Sequence, residues 1–344
     1  MKTITTLILL ALLILTSSHA QMPESYPPDF RDAMTYGAKA KMTLKIIDDG
    51  GKPVSNALAK VQFSPPKARK LVIDGGLSDS NGIVVAEGIT TSTIPGDVSK
   101  DGYYNTWFKF RSGDPADPHD YAKKAKNGRW LPWNPTITLV LREVRKPIPL
   151  YVAWVDFDKG FPSDTDVGFD CERHDYVAPH GDGKNSDFLV RISSLDISGH
   201  DKACRLTLSA IDNGGGFVVK KKELSSKLVS DYEAPADGYS PEFRTSKTTK
   251  LKFYEKNPDD VSEDEYLILK SRIVRDQNGE IISANYGKIY GPVEYVFSLE
   301  RGRGAIKFLY YFNPTPNDRN LEFDGKNNLF KPGWKSTLRW SQDP

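Results

Sequence analysis

The amino-acid sequence predicts an all-β protein made of two β-sandwiches, and three observations carry that reading. Apolar and polar residues alternate through most apolar segments, clusters of turn formers separate those segments, and almost no stretch repeats with the helical period. The expected organisation is a signal peptide over 1–20, a lead-in segment over 21–37, a smaller sandwich over 38–145 and a larger one of jelly-roll type over 146–344.

The opening residues set the compartment. Lys2 precedes an apolar run from Ile4 to Leu15 and a small-x-small close at Ser18-His19-Ala20. That run is too short to span about 30 Å of hydrocarbon comfortably, but it fits the apolar centre of a secretory signal peptide cut before Gln21. No later segment is long and apolar enough to span a membrane, so the expected location is secreted or periplasmic. Residues 21–37 hold three prolines and no sustained period, and read as irregular.

From Ala38 the chain changes character. Met42, Leu44 and Ile46 alternate with Lys41, Thr43 and Lys45, so one face of a strand turns inward. Asp48-Asp49-Gly50-Gly51-Lys52-Pro53 supplies a turn, and Ala59, Val61 and Phe63 resume the alternation as the return strand. A second turn at Ser78–Gly82 leads into Ile83-Val84-Val85, and a third group around Gly102-Tyr103-Tyr104 leads into Trp107, Phe108 and Phe110. A polar insertion over Ser112–Arg129, with a short helix expected over Asp120–Lys126, precedes the closing strand Thr136–Val144.

This order of segments resembles the carboxypeptidase-regulatory-like, transthyretin-like group of bacterial Ig-like modules. The resemblance rests on Gly51-Lys52-Pro53-Val54, Ala57, Ser78-Asp79, Gly82 and Gly102-Tyr103, and covers about a third of the chain. It implies an Ig-like sandwich that serves as a spacer or binding platform and brings no catalytic residues. The insertion before the last strand departs from the pattern.

Arg145–Leu150 carries two prolines and reads as a stiff joint. Beyond it, strands are expected at Leu150–Val155, Phe188–Ile192, Cys204–Ala210, Thr249–Tyr254, Tyr266–Val274, Glu280–Lys288, Val293–Leu299 and Ala305–Phe312. Asn278-Gly279 is the strongest hairpin signal in the chain. This half resembles no named family, and its YYFNPTPNDRNLEFD stretch carries no recognisable chemistry.

Composition narrows the function. The chain holds 47 Lys plus Arg against 45 Asp plus Glu, without the one-sign stripe of a nucleic-acid binder. Its two cysteines, Cys171 and Cys204, are expected to close a disulfide stabilising by about 3 to 4 kcal/mol, the alternative being two separate buried thiols. G-x-S-x-G, H-E-x-x-H, Walker and dinucleotide glycine patterns are all absent, so no catalytic residue is named.

Three weaker constellations remain. His174 and His180 lie in an acidic loop (Asp170–Asp187) with Asp175 and Asp182, a possible metal set without compact zinc spacing. Asp156 with Asp158, and Asp164 with Asp166, place carboxylates two residues apart as calcium loops do, without the EF-hand glutamate. Trp130 and Trp133, in Arg129-Trp130-Leu131-Pro132-Trp133, are the candidate ligand-binding rings. The expected function is an exported, non-enzymatic β-sandwich protein that binds a carbohydrate or an envelope protein. The alternative is a secreted polysaccharide hydrolase with the Ig-like module as accessory.

Overall fold

The structure is a computed structural model that describes residues 28–66, 71–91, 93–110, 125–156, 160–195, 202–250, 253–255, 261–298, 302–330 and 343–344. The signal-peptide expectation lies outside these residues. Of the described residues 57% are strand and 3% helix, an all-β sandwich architecture. No helix among the described residues is long and apolar enough to cross a membrane.

After a helix α1 (Pro28–Tyr36), the first unit runs through β1 (Ala38–Asp48), β2 (Leu58–Phe63), β3 (Val72–Leu77), β4 (Ile83–Thr90), β5 (Ile94–Ser99), β6 (Thr106–Phe110), β7 (Ala125–Lys126), β8 (Arg129–Trp130) and β9 (Thr136–Leu141). β1 pairs antiparallel with β4 and parallel with β8 and β9, while the opposing sheet has the order β3-β2-β5-β6. The alternation in β1 points Met42, Leu44 and Ile46 at Ala59, Val61 and Phe63 of β2, all at most 1% exposed.

Both turns are fastened by an aspartate. Asp48 Oδ1 accepts from the backbone N–H of Gly50 and Lys52 at 2.8 and 2.9 Å, and Asp79 Oδ1 accepts from those of Asn81 and Ile83 at 2.9 and 2.8 Å. Gly82 has φ +74°, and a Cβ there would sit 2.2 Å from the Ile46 carbonyl oxygen, so the turn requires glycine.

Two local expectations are corrected here. Residues 28–36 are helical, not irregular: Pro28 opens the helix, where its missing N–H costs nothing, and Phe30 and Ala33 are buried against the sandwich. Ala125–Lys126, the end of the expected short helix, is instead a two-residue strand paired with β8; the rest of that segment lies outside the described residues.

The second unit comprises β10 (Ile148–Val155), β11 (Phe161–Pro162), β12 (Val167–Asp170), β13 (Asp175–Tyr176), β14 (Phe188–Leu195), β15 (Lys202–Ser209), β16 (Gly216–Lys221), β17 (Glu242–Lys250), β18 (Phe253–Glu255), β19 (Glu265–Arg275), β20 (Ile281–Ser298), β21 (Arg303–Asn313) and β22 (Phe323–Asn328). A six-stranded sheet, β13-β12-β14-β15-β17-β18, stacks on a seven-stranded one, β16-β19-β20-β21-β10-β22 with β11 on β21. The Asn278-Gly279 turn joins β19 to β20 as its sequence predicts, with Asp276 Oδ1 accepting from the N–H of Asn278 and Glu280 at 2.9 Å each.

The larger sheet is buried on both faces. On β21, Ile306, Phe308, Tyr310 and Phe312 enter the inter-sheet core, while Leu309 and Tyr311 enter a second cluster with Tyr266, Ile268, Tyr290 and Phe323. This explains why β19 and β21 read as nearly continuous apolar runs instead of alternating ones.

Lys288 lies in that second cluster at 0% exposure, with Nζ donating to Ser230 Oγ at 2.8 Å between the rings of Tyr290 and Tyr311. Burial, and then the Arg142 charge, push its pKa well below 10.5. The folded state therefore binds fewer protons than the unfolded one, and stability rises with pH from the depressed value towards 10.5. Lys288→Met is expected to stabilise the protein by about 1–3 kcal/mol at neutral pH and to flatten that rise. Denaturant melts across an alkaline pH series check both outcomes.

The two units meet along a polar seam. The 225–227 stretch of the second unit runs against β6: Trp107 N–H donates to the Ser225 carbonyl at 2.7 Å, and Lys227 N–H to that of Asn105 at 2.9 Å. Arg142 Nη1 donates to the carbonyls of Leu228 and Ser230, both at 2.7 Å. Tyr232 lies beneath the guanidinium groups of Arg142 and Arg145, and its hydroxyl, 2.8 Å from each, shares its one proton between Asp49 Oδ2 and the Glu143 carbonyl. Glu322, 1% exposed, accepts from Tyr104 Oη and from the N–H groups of Arg145 and Lys146.

Candidate functional site

The outward face of the β3-β2-β5-β6 sheet is the surface best suited to a ligand. Residues paired across strands share a face, and Ala59, Val61 and Phe63 of β2 are buried, so Leu58, Lys60 and Gln62 point out. The registers then build rows across the face: Leu77–Leu58–Ser99, and Gly75–Lys60–Asp97–Trp107, with Ile73 beside Gln62. Trp107 is 45% exposed, and Leu58, Ile73 and Leu77 are exposed as well.

At one end this face opens into a groove of about 590 Å³ lined by Asn56, Ser99, Lys100, Asp101, Tyr103 and Asn105. Two turns shape it. Asn56 adopts φ 54°, and the Lys100–Tyr103 turn is closed by Tyr103 N–H donating to the Lys100 carbonyl at 3.1 Å, with Gly102 at φ 81°. The Tyr103 ring is half-buried, lies 5.4 Å from Lys100 Nζ, and its hydroxyl is 3.4 Å from Glu143 Oε1. Partial burial, then the nearby Glu143 and Asp48 charges, raise its pKa, so the phenol remains a donor. The arrangement offers amide, carboxylate, ammonium and hydroxyl groups beside flat rings, a set suited to hydroxyl-rich ligands.

The rings singled out from sequence do not form a platform. Trp130 is 4% exposed: its Nε1–H donates to the Thr90 carbonyl at 2.9 Å, and it meets Phe30 edge-on at 5.8 Å, so it is core. Trp133 is half-buried under the Arg129 guanidinium, 4.8 Å from its ring. Between Thr106 and Phe108, Trp107 reads in the sequence as one more strand residue; only the register reveals that it faces outward.

The expected disulfide is absent, since Cys171 and Cys204 are not bonded. The β12–β14 ladder ends where Phe169 faces Phe188, with Cys171 beyond that end, whereas Cys204 lies opposite Ser194. The stretch of β14 from Phe188 to Ser194 is about 20 Å long at ~3.3 Å per residue, far beyond the ~7 Å a disulfide spans. Burial, then the Asp187 charge, push the Cys171 thiol well up.

The metal candidates are engaged otherwise, and no group of three or more His, Cys, Asp or Glu among the described residues is arranged to hold a metal. Asp166 forms a two-point ion pair with Arg191, with Nε to Oδ1 at 2.7 Å. Asp164 sits in a turn at φ 57°, Asp156 lies just past β10, and Asp158 lies outside the described residues. His174 stacks on Tyr310 with Nδ1 3.2 Å from its hydroxyl, while His180 sits in a turn closed by its backbone N–H donating to the Val177 carbonyl at 3.0 Å.

The Asp170–Asp187 loop is instead a staple. Asp170 accepts from the backbone N–H groups of Glu172, Arg173, Lys184 and Asn185 at 2.9–3.0 Å. Asp187, buried beside it, accepts from Cys171 N–H at 2.7 Å and Arg272 Nε at 2.8 Å, and Arg272 also pairs with Glu172. Arg272 adopts φ 53°, a left-handed position rare for its type, to reach them. The partner is 85 residues from Asp187 in sequence, so spacing within the loop does not reveal it.

No protein-family model and no curated protein matches the chain. Among solved structures it is similar in part to a 3-chlorocatechol 1,2-dioxygenase from Rhodococcus opacus: 12% identity over 36% of this chain and 63% of that one, TM-score 0.24. It is also similar to the major pilin subunit of Bacillus cereus, at 9% identity over 78% and 95% of the two chains with TM-score 0.21. A streptococcal ancillary pilin matches at 10% identity over 83% and 62%, TM-score 0.18. The chain thus spans less than two thirds of the length of the dioxygenase, and none of these likenesses reaches the level at which two chains share a fold.

Proposed function

We propose that this chain is an exported, non-enzymatic binding protein whose ligand is a carbohydrate held on the outward face of the β3-β2-β5-β6 sheet. The single observation that carries the reading is Trp107, a large ring left 45% exposed in one row with Lys60 and Asp97, close to the polar groove that contains Tyr103. Exposed flat rings cover sugar faces at little entropic cost, and the groove's short polar side chains provide hydroxyl partners. In this reading residues 38–145 are a carboxypeptidase-regulatory-like module that serves as the platform, residues 1–20 direct export, and the second unit braces the platform through its 225–227 stretch.

Affinity electrophoresis of the mature chain through gels containing soluble polysaccharides tests it. At least one polysaccharide is expected to retard the wild type, and Trp107→Ala or Tyr103→Ala to weaken that retention about tenfold, equivalent to losing one ring contact of roughly 1.4 kcal/mol. Trp133→Ala, away from the face, is expected to change nothing. Retention by no polysaccharide, or undiminished retention of the Trp107 variant, overturns the reading.

A further inference from the structure

We propose that a second copy of this chain docks along β3, so that two smaller sandwiches join edge to edge in a two-fold dimer. Among the described residues β3 ends its sheet: it pairs with β2 on one side and has no strand ladder on the other. Its sole charged residue, Asp74, pairs with Val61 and so faces inward, where Oδ2 accepts from the Glu87 N–H at 2.8 Å. Nothing charged on β3 therefore faces outward, and neither lysine nor proline interrupts it. Edge strands normally carry such residues because their unpaired backbone groups recruit other strands.

The exposed side chains are the second observation. Ile73 and Leu77 of β3 are 61% and 64% exposed on the outward face, and Leu58 beside Leu77 adds to the same surface. A contiguous apolar strip of this kind on an open strand marks an association surface.

The sequence of β3 is self-complementary, and this selects the occupant. Ile73 and Leu77 lie on the outward face two positions either side of Gly75. If two copies of β3 run antiparallel with Gly75 on the two-fold axis, Ile73 of each copy lies opposite Leu77 of the other, giving two apolar pairs from one strand. Gly75 leaves the axis bare, and it is held to glycine from within the chain: a Cβ there would sit 2.4 Å from the Ala59 carbonyl oxygen. An unrelated strand would match this pattern only by accident, whereas a second copy matches it by symmetry. The dimer continues each row into its mate and puts the two Trp107 rings on one extended face, so that a polymeric ligand meets two sites at once.

The dimer does not depend on the carbohydrate reading, and its test needs no ligand. Light scattering after size exclusion, run on the mature chain over a concentration series, is expected to show a concentration-dependent dimer. Ile73→Lys and Leu77→Lys, both at exposed positions, are expected to raise the dissociation constant at least tenfold, while circular dichroism and the thermal midpoint measured below the wild-type dissociation constant stay unchanged. The double substitution Ile73→Cys with Leu77→Cys reads the register directly. The two positions are too far apart within one chain, but in the dimer they lie about 4.5–5.5 Å apart Cα to Cα, within reach of a disulfide. Oxidation is expected to give a covalent dimer on a non-reducing gel. A wild type that stays monomeric at every concentration, a dimer indifferent to both lysine variants, or a double cysteine variant that never crosslinks would overturn the proposal.

Discussion

Arg272→Ala is expected to lower the unfolding free energy by about 3–5 kcal/mol, the cost of removing one partner from a buried ion pair. Arg272 satisfies Asp187, whose side chain is 0% exposed, and reaches Asp170 at 3.7 Å and Glu172 as well. Burial already raises the Asp187 carboxyl above 3.8 although the guanidinium opposes that rise. In the wild type the folded state thus holds a proton longer than the unfolded one, and this contribution to stability falls as pH rises through the window above 3.8. Removing the guanidinium raises the folded value further and widens the window upward. The deficit of the variant relative to wild type is therefore expected to grow between pH 5 and pH 8. Urea melts at the two pH values measure it, and an equal deficit at both would show that Arg272 acts through packing on Phe312, 4.9 Å away, instead of through charge.

The same loop shows what the sequence discloses and what it withholds. Asp48 and Asp79 announce their turns because their hydrogen-bond partners lie within four residues, and Met42, Leu44 and Ile46 announce an inward face because a strand has period two. Asp170 likewise finds its partners within its own loop, but Asp187 depends on Arg272, which only the stacking of two sheets brings near. The cysteines show the same limit: their sequence separation suits a closed loop, but β14 intervenes and holds them about 20 Å apart or more at ~3.3 Å per residue. Trp130 and Trp107 exchanged roles because ring type is visible in sequence and facing is not. Where the strands are buried on both faces, as in β21, period two vanishes and only the continuous apolar run remains.

The NPTPNDRNLEFD stretch, mute as chemistry, gives the second large effect, since it fastens the two units together. Asn313 Nδ2 donates to the carbonyls of Asp318 and Asn320 at 3.1 Å each, and Asn320 Nδ2 donates to that of Lys146 in the joint. This framework presents Glu322, whose Oε1 accepts from Tyr104 Oη at 2.8 Å and Arg145 N–H at 2.9 Å, while Oε2 accepts from Lys146 N–H at 2.7 Å. Burial, then the bond to Glu322, raise the Tyr104 pKa, so the phenol stays a donor. Glu322→Ala leaves these donors facing a void, and at about 1–3 kcal/mol per unsatisfied group, reduced by whatever water enters, the expected loss is roughly 3–4 kcal/mol. Glu322→Gln is expected to cost about half as much, because its NH₂ group must face either Lys146 N–H or the Tyr104 and Arg145 donors. Calorimetry gives a second readout: with the clamp gone the 38–145 and 146–344 units are expected to melt in separate transitions, and proteolysis within Arg145–Leu150 to accelerate. A Glu322→Ala protein that still melts in one transition at the wild-type temperature would mean that Arg142 and Tyr232, on the same seam, are enough to couple the units.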